Sequence, residues 1–209
     1  TFLDEGKTLL VEEFGKDYGT YFTILSSIAA GRTTRNEIEQ AVGGSAGGYL
    51  TKLESDYSLI GKRQPIFEKS ANKNCIYKLK DNFLTFWFRF VYKYNYLVEL
   101  KMFDELRGLI LRDYPVFSGW MLEGYFRARF AETHSYTHMG AWWDRRGENE
   151  IDLVCENELT GKLDFYEVKR NAARFSPSAL EQKIAAFLEK NPAKRRKGGL
   201  RAGLSMADM

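Results

Sequence analysis

The chain is poor in cysteine, histidine and proline, and it has no long apolar run. Its two cysteines, Cys75 and Cys155, lie far apart without the short spacing of a thiolate metal site. That argues against a disulfide framework or a zinc finger and fits a reducing cytoplasm. The two histidines, His134 and His138, are four residues apart, but SYTHMGAWW reads as strand rather than helix, and no acid stands where an H-E-x-x-H site needs one. G-x-S-x-G is absent, so there is no nucleophile elbow. No segment has the length of a membrane span, and the opening TFLDEGKTLLVEEF lacks a basic region followed by an apolar one, so a soluble, intracellular, cytoplasmic protein is expected, with no membrane partner. An excess of one charge is also missing: 31 Lys and Arg against 28 Asp and Glu leave +3, too little to argue for nucleic acid by itself. Gly6 to Thr8 imitates the end of a phosphate-binding loop, but the earlier glycine and its strand have no room before it. Thr1 is no initiator, which hints at the later part of something longer.

What is present is apolar and aromatic, 44% and 15% of 209 residues, enough for a sizeable core and for two small domains. In the N-terminal part, Tyr21, Ile24, Leu25 and Ile28 recur at helical spacing up to Gly31. Thr34 with Glu37 three residues on has the form of a capping box for a second, short helix ended by Gly43 and Gly44. Ser45 opens a third, with Tyr49, Leu50 and Leu53 inward. Strands over Leu59–Glu68 and Asn74–Lys80, around the polar turn Lys69–Lys73, complete the order of a winged helix-turn-helix over residues 1–80. Residues 81–117 read as connecting helices, a buried one capped by Asp81 or Asn82 and a charged amphipathic stretch ending at Pro115. A further helix carries apolar residues at 122, 126 and 130, two strands follow, and Ser176 with Pro177 starts a helix whose face is Leu180, Ile184, Phe187 and Leu188. GLRAGLSM is a candidate last short strand. The expected class is α+β and α/β: a winged helix-turn-helix, then a mixed sheet flanked by helices over 118–209.

The two strands carry the chemistry. Strand alternation sends Glu150 and Asp152 to one face and Ile151, Leu153 and Cys155 to the other. A loop centred between Leu159 and Thr160 sets Asp152 opposite Glu167 and Glu150 opposite Lys169. Paired side chains lie roughly 5 Å apart at Cβ, close enough for two carboxylates to share one divalent cation, with Lys169 beside it for a phosphate's developing charge. The plain alternative is a half-exposed hairpin with a charged outer face and Glu150–Lys169 as an ordinary ion pair.

Asp152, the fourteen-residue spacer and E-V-K at Glu167–Lys169 resemble the restriction-endonuclease-like motif PD-(D/E)XK, although Ile151 replaces its proline. GWMLEGYF before WWD, then NEIDLV, FYEVK and GLSMADM, with the earlier FLTFWFRFVY, resemble the C-terminal region attached to archaeal-type P-loop ATPases, over nearly the whole chain. The resemblance implies Asp152 and Glu167 as ligands of Mg²⁺ or Mn²⁺, Lys169 as catalytic lysine, Glu123 as the preceding helix acid and Gln182 as a supporting group. It also implies DNA as partner and ATP only through an upstream ATPase domain. An oligomer is compatible with it. For DNA, the third helix and wing offer Tyr49, Thr51, Lys52, Lys62, Arg63, Lys69 and Lys73, against which Glu54 and Asp56 would repel a phosphate backbone. A winged helix also serves as an interdomain brace or protein-binding module. Lys190–Gly199, KNPAKRRKGG, is a second basic cluster, either over phosphates or simply solvated.

Overall fold

Thr34 begins the clearest helix of the N-terminal half. In helix α3, Arg35–Val42, its hydroxyl accepts from the Glu37 N–H, while the Glu37 carboxylate accepts from the backbone of Thr33 and Thr34, the reciprocal capping expected from the sequence. Gly43 closes the helix at φ 75°, a left-handed conformation in which glycine has no penalty. Helix α4, Gly47–Ser55, departs from expectation: Ala46 rather than Ser45 is its N-cap, and Glu39 reaches across from α3 to accept the Ala46 N–H at 3.2 Å. No side chain caps the helix, and the Glu39 bond instead ties its N-cap residue to α3. With α1, Phe2–Phe14, and α2, Tyr18–Ala29, these helices surround a core of Phe14, Phe22, Ile24, Leu25, Ile38, Leu50 and Leu53. Strands β1, Ile60–Arg63, and β2, Ile76–Leu79, then form an antiparallel hairpin with Ile60 opposite Leu79 and Arg63 opposite Ile76. Both are shorter than the sequence suggests, because Pro65 has no N–H to extend the ladder and the Ile66 N–H goes to the Ala141 carbonyl.

The aromatic run after the hairpin is α5, Asn82–Phe86, a π-helical turn over Trp87–Tyr92, and α6, Asn95–Glu99. Asp81 caps it through the Leu84 N–H at 2.7 Å. The wide turn lets Trp87, Phe88 and Phe90 all be buried, with Trp87 and Phe88 packed on Phe22.

The structure, a computed structural model, describes residues 2–68, 74–195 and 199–209. It divides into two units, Thr1–Arg63 with Cys75–Ile110, and Gln64–Asn74 with Leu111–Met209, so the segment 81–117 falls on both sides of the division and the loop between β1 and β2 belongs with the second unit.

Helix α7 runs from Phe103 to Glu132, and Pro115 lies inside it rather than ending the amphipathic stretch. The carbonyl that loses its partner belongs to Leu111, which is 60% exposed, so water can take that bond, while Ser118 Oγ donates to the Tyr114 carbonyl at 2.8 Å. In the second unit the sheet has the order β3–β4–β5–β6: His138–Trp143, Glu150–Asn157, Lys162–Val168 and Arg201–Leu204. The first three are antiparallel and β6 is parallel to β5, a mixed sheet. Three strands, not two, precede helix α8, Pro177–Lys190, which Ser176 caps through the Ala179 N–H. Leu180, Ile184 and Phe187 of α8 cover one sheet face with Trp142, Ile151, Val154, Leu163 and Phe165. On the other, Phe126 of α7 packs with Val168, and Phe130 with Leu153, Cys155 and Tyr166. With helices and two separate sheets, the chain is an α+β protein. Among the described residues no helix is long and apolar enough to cross a membrane.

Candidate active site at the fork of β4 and β5

The β4–β5 ladder has the register expected from the loop position: Leu153 faces Tyr166, Cys155 faces Asp164 and Asn157 faces Lys162. It stops at the Leu153–Tyr166 pair although both strands continue. Where the next backbone bond would form, the Val168 N–H donates instead to Asp152 Oδ2 at 2.7 Å. The strands part there, and the Asp152 side chain occupies the fork.

A β-bulge explains why Asp152 turns this way. Pairing of β3 with β4 slips between Gly140 and Trp142, so Ala141 stands opposite both Asp152 and Leu153. A bulge re-aims the side chains at its position, and here it breaks the simple alternation expected from the sequence. Ile151 packs with Val154 and α8, whereas Leu153 and Cys155 pack on the opposite face. Every residue of β5 after Lys162 is buried, so the charged residues do not form the solvent-facing side of a half-exposed hairpin.

Glu167, 6% exposed, is the centre of the cluster. Its Oε1 accepts from Lys169 Nζ at 2.7 Å and from Lys183 Nζ of α8 at 2.6 Å. Its Oε2 is buried without a hydrogen-bond partner among the described residues. Glu150 pairs with Trp143 and is exposed, and Lys169 turns to Glu167 rather than across to Glu150. Helix α7 adds Glu123 and Arg127, one turn apart on the side next to the Leu122–Phe126 stripe, and both act electrostatically on the strand residues. Gln182 is exposed, and its neighbour Lys183 makes the contact that the resemblance gave to Gln182.

The electrostatics follow from crowding and burial. Asp152 is pushed up to about 6, first by desolvation and then by the Glu167 charge, against the opposing pull of the Val168 N–H and Lys169. Burial disfavours the charge on Lys169, but its hydrogen bond to Glu167 and the charges of Glu167, Asp152 and Glu123 outweigh it and raise its pKa. Desolvation lowers Arg127, although Glu123 and Asp152 oppose it.

A divalent cation fits the oxygen atoms left over. Glu167 Oε2 lacks a partner, and Asp152 Oδ1 takes no hydrogen bond among the described residues. Mg²⁺ is commonly held by one or two carboxylates with water completing its shell. Three acids do not converge here. The one set of three potential ligands within 4.8 Å of one another among the described residues is His138, Glu156 and Glu158, where Lys194 Nζ already lies 2.8 and 2.7 Å from the two oxygens of Glu156.

The residues offered for DNA lie elsewhere. Tyr49 is half-buried and packs edge-on against Tyr21 at 5.1 Å, while Lys52 and Arg63 are exposed and Lys62 half-buried. Glu54 is turned to the Lys62 N–H. Lys69 and Lys73 lie outside the described residues, as do 196–198 of the second basic cluster. Lys194 of that cluster is turned inward to the wholly buried Glu156. Sequence reasoning missed Arg127 and Lys183. Each had a signal, standing beside an apolar helical stripe where a long cationic side chain reaches the adjoining strand end.

Residues 87–183 match the DUF234 family of archaeal and bacterial proteins of unknown function. An uncharacterized protein of Methanocaldococcus jannaschii is 31% identical over 161 residues, covering 72% of this chain and 35% of that protein, so the chain spans about a third of its relative's length. No solved structure matches.

Proposed function

We propose that the second unit is a metal-dependent nuclease-like domain that cleaves phosphodiester bonds in DNA. The observation that carries this reading is the unpartnered, buried Glu167 Oε2 beside Asp152 at a fork between two strands. Asp152 and Glu167 would hold Mg²⁺ or Mn²⁺, which when bound supplies a Lewis acid and a water of lowered pKa. Lys169 presents an ammonium to the negative charge that grows on a phosphate oxygen as water displaces the leaving sugar oxygen. Lys183, from the other side of Glu167, fixes that carboxylate so that one oxygen stays committed to the protein and the other is left for the cation. Glu123 and Arg127 set the local charge around Asp152 and Lys169.

The first unit is read as a winged helix-turn-helix, with Lys52, Lys62 and Arg63 meeting the DNA backbone. On the resemblance to the C-terminal region of archaeal-type ATPases, the two units would lie downstream of a P-loop domain, a reading supported by the greater length of the archaeal relative. ATP would act there.

One observation favours a second reading, a catalytically silent module that binds DNA or protein and regulates an ATPase. Two ammonium groups on one oxygen of Glu167 already balance much of the cluster's negative charge. Plasmid nicking separates the two. Under the nuclease reading, Mg²⁺ or Mn²⁺ produces nicks that Asp152→Ala and Lys169→Ala abolish while both variants keep the wild-type circular dichroism. Salt-sensitive DNA retention with no nicking, lost on Lys52→Glu with Arg63→Glu, supports the silent module.

A further inference from the structure

A cavity of about 710 Å³ opens in the second unit at the C-terminal end of β3. Phe67, Trp142, Trp143, Arg145, Lys190 and Asn191 line it. That volume is within the range of small-ligand sites, and it suits a single nucleotide. Trp143 is the most informative wall. Its indole Nε1 donates to Asn74 Oδ1 at 3.0 Å, and its carbonyl accepts from Asn74 Nδ2 at 3.3 Å. The ring is therefore held at one edge, while no other ring contacts it among the described residues. Phe67 is different: it packs on Phe187, and Lys194 Nζ sits 4.0 Å above its ring. A fixed indole that lines a cavity and meets no other ring among the described residues is a stacking platform for a planar, electron-poor ring.

Charge narrows the ligand. Arg145 and Lys190 are exposed at the cavity and have no ion pair among the described residues. Two acids also line the cavity, Glu68 and Asp144; Asp144 is turned into its own loop, where it accepts from the N–H groups of Arg146, Glu148 and Asn149 and from Asn149 Nδ2. Those bonds hold its pKa down and use its charge locally. An aromatic wall between two unpaired cations suits a flat base carrying a phosphate.

The cavity also adjoins the fork. Trp143 pairs directly with Glu150, two residues from Asp152. At about 3.3 Å per residue along a strand and about 4.8 Å between strands, the Trp143 and Asp152 backbones are about 8 Å apart. We propose that this cavity receives an unpaired nucleotide of the nucleic-acid strand engaged at the Asp152–Glu167 site, its base stacked on Trp143 and its phosphate facing Arg145 and Lys190. A duplex keeps its bases inside the stack, so the cavity selects single-stranded or flapped segments and gives the site a substrate class. This rests on the nuclease reading for its position along the strand, but the binding itself needs no metal.

The test is fluorescence anisotropy of a labelled oligo(dT) and a blunt duplex of equal length, with the full 209-residue chain in EDTA. The single strand is expected to bind at least about tenfold more tightly than the duplex. Trp143→Leu should weaken the single strand roughly tenfold with little effect on duplex, in line with the known strength of base–aromatic stacking. Arg145→Ala with Lys190→Ala, at exposed positions that leave the fold intact, should lower the salt dependence of single-strand binding by about one to two counterions. Equal affinity for the two DNAs, or unchanged single-strand binding in both variants, overturns the proposal. Competition by thymidine monophosphate at the oligonucleotide's own per-nucleotide concentration also overturns it, in favour of a free-nucleotide site. Parallel nicking assays keep the two ideas apart. The expected binding pattern without any metal-dependent cleavage leaves the cavity assignment standing and removes the nuclease, whereas cleavage without the binding pattern removes the cavity assignment alone.

Discussion

Replacing Asp152 with asparagine should make the protein more stable at neutral and alkaline pH. The amide oxygen of the substituted side chain can still accept the Val168 N–H, so the change removes charge and little else. The carboxyl is raised from 3.8 to about 6, chiefly by desolvation, so keeping it ionised in the fold opposes folding. A shift of about two units corresponds to about 3 kcal/mol. A group whose folded pKa lies above its unfolded one contributes stability that is fully present below the unfolded value, here near 4, and lost as pH rises through about 6. The variant should therefore gain about 2 to 3 kcal/mol over the wild type at pH 8, and the gain should shrink between about pH 6 and 4 and vanish below. Urea titrations at about pH 8, 6 and 4 measure this through tryptophan fluorescence, with the buried Trp142, 5.5 Å from the Phe187 ring, as one reporter. Mg²⁺ at about a hundred times its dissociation constant should return about 2.7 kcal/mol to the wild type and nothing to the variant. A variant that is less stable at pH 8, by the same margin as at pH 4, would refute the reasoning, because the carboxylate would then be a net source of stability.

Two other perturbations probe the scaffold around the site. Lys194→Met removes the ammonium that bonds both oxygens of the fully buried Glu156, and a loss of about 3 kcal/mol in urea unfolding is expected. Gly203→Ala brings a Cβ within 2.5 Å of the Phe175 ring; the overpacking should destabilise by about 2 kcal/mol and loosen β6, read as faster hydrogen exchange of the Lys169 amide that bonds the Leu204 carbonyl.

Much of this site was legible in the residues because hairpin register follows from where the loop is. The position of Leu159 and Thr160 fixed which residues of β4 and β5 face each other, and Thr34 with Glu37 was readable for the same reason: both depend on neighbours close in sequence. What failed depended on more distant partners. A bulge has no residue signature of its own, so the slip opposite Ala141 that redirects Asp152 was invisible. Pro115 is tolerated in α7 because Leu111, four residues back, faces water, and no local rule states that. Ser45 does not cap α4, whose N-cap Ala46 is held instead by Glu39 of the preceding helix. Lys183 emerged only when α8 lay against β5, since the choice between it and Gln182 is a rotation of about 100° around a helix axis.

The parallel pairing of β6 with β5 sets Gly203 opposite Glu167 and ties the Lys169 amide to Leu204. During synthesis on a ribosome, the acid and the lysine therefore emerge well before the strand that braces them. Acid, base and helix can gather while the polypeptide is still tethered, but the pocket edge closes only after residue 204 has left the exit tunnel. A nascent or prematurely terminated chain would carry every charged group of the cluster and still lack the frame that holds them.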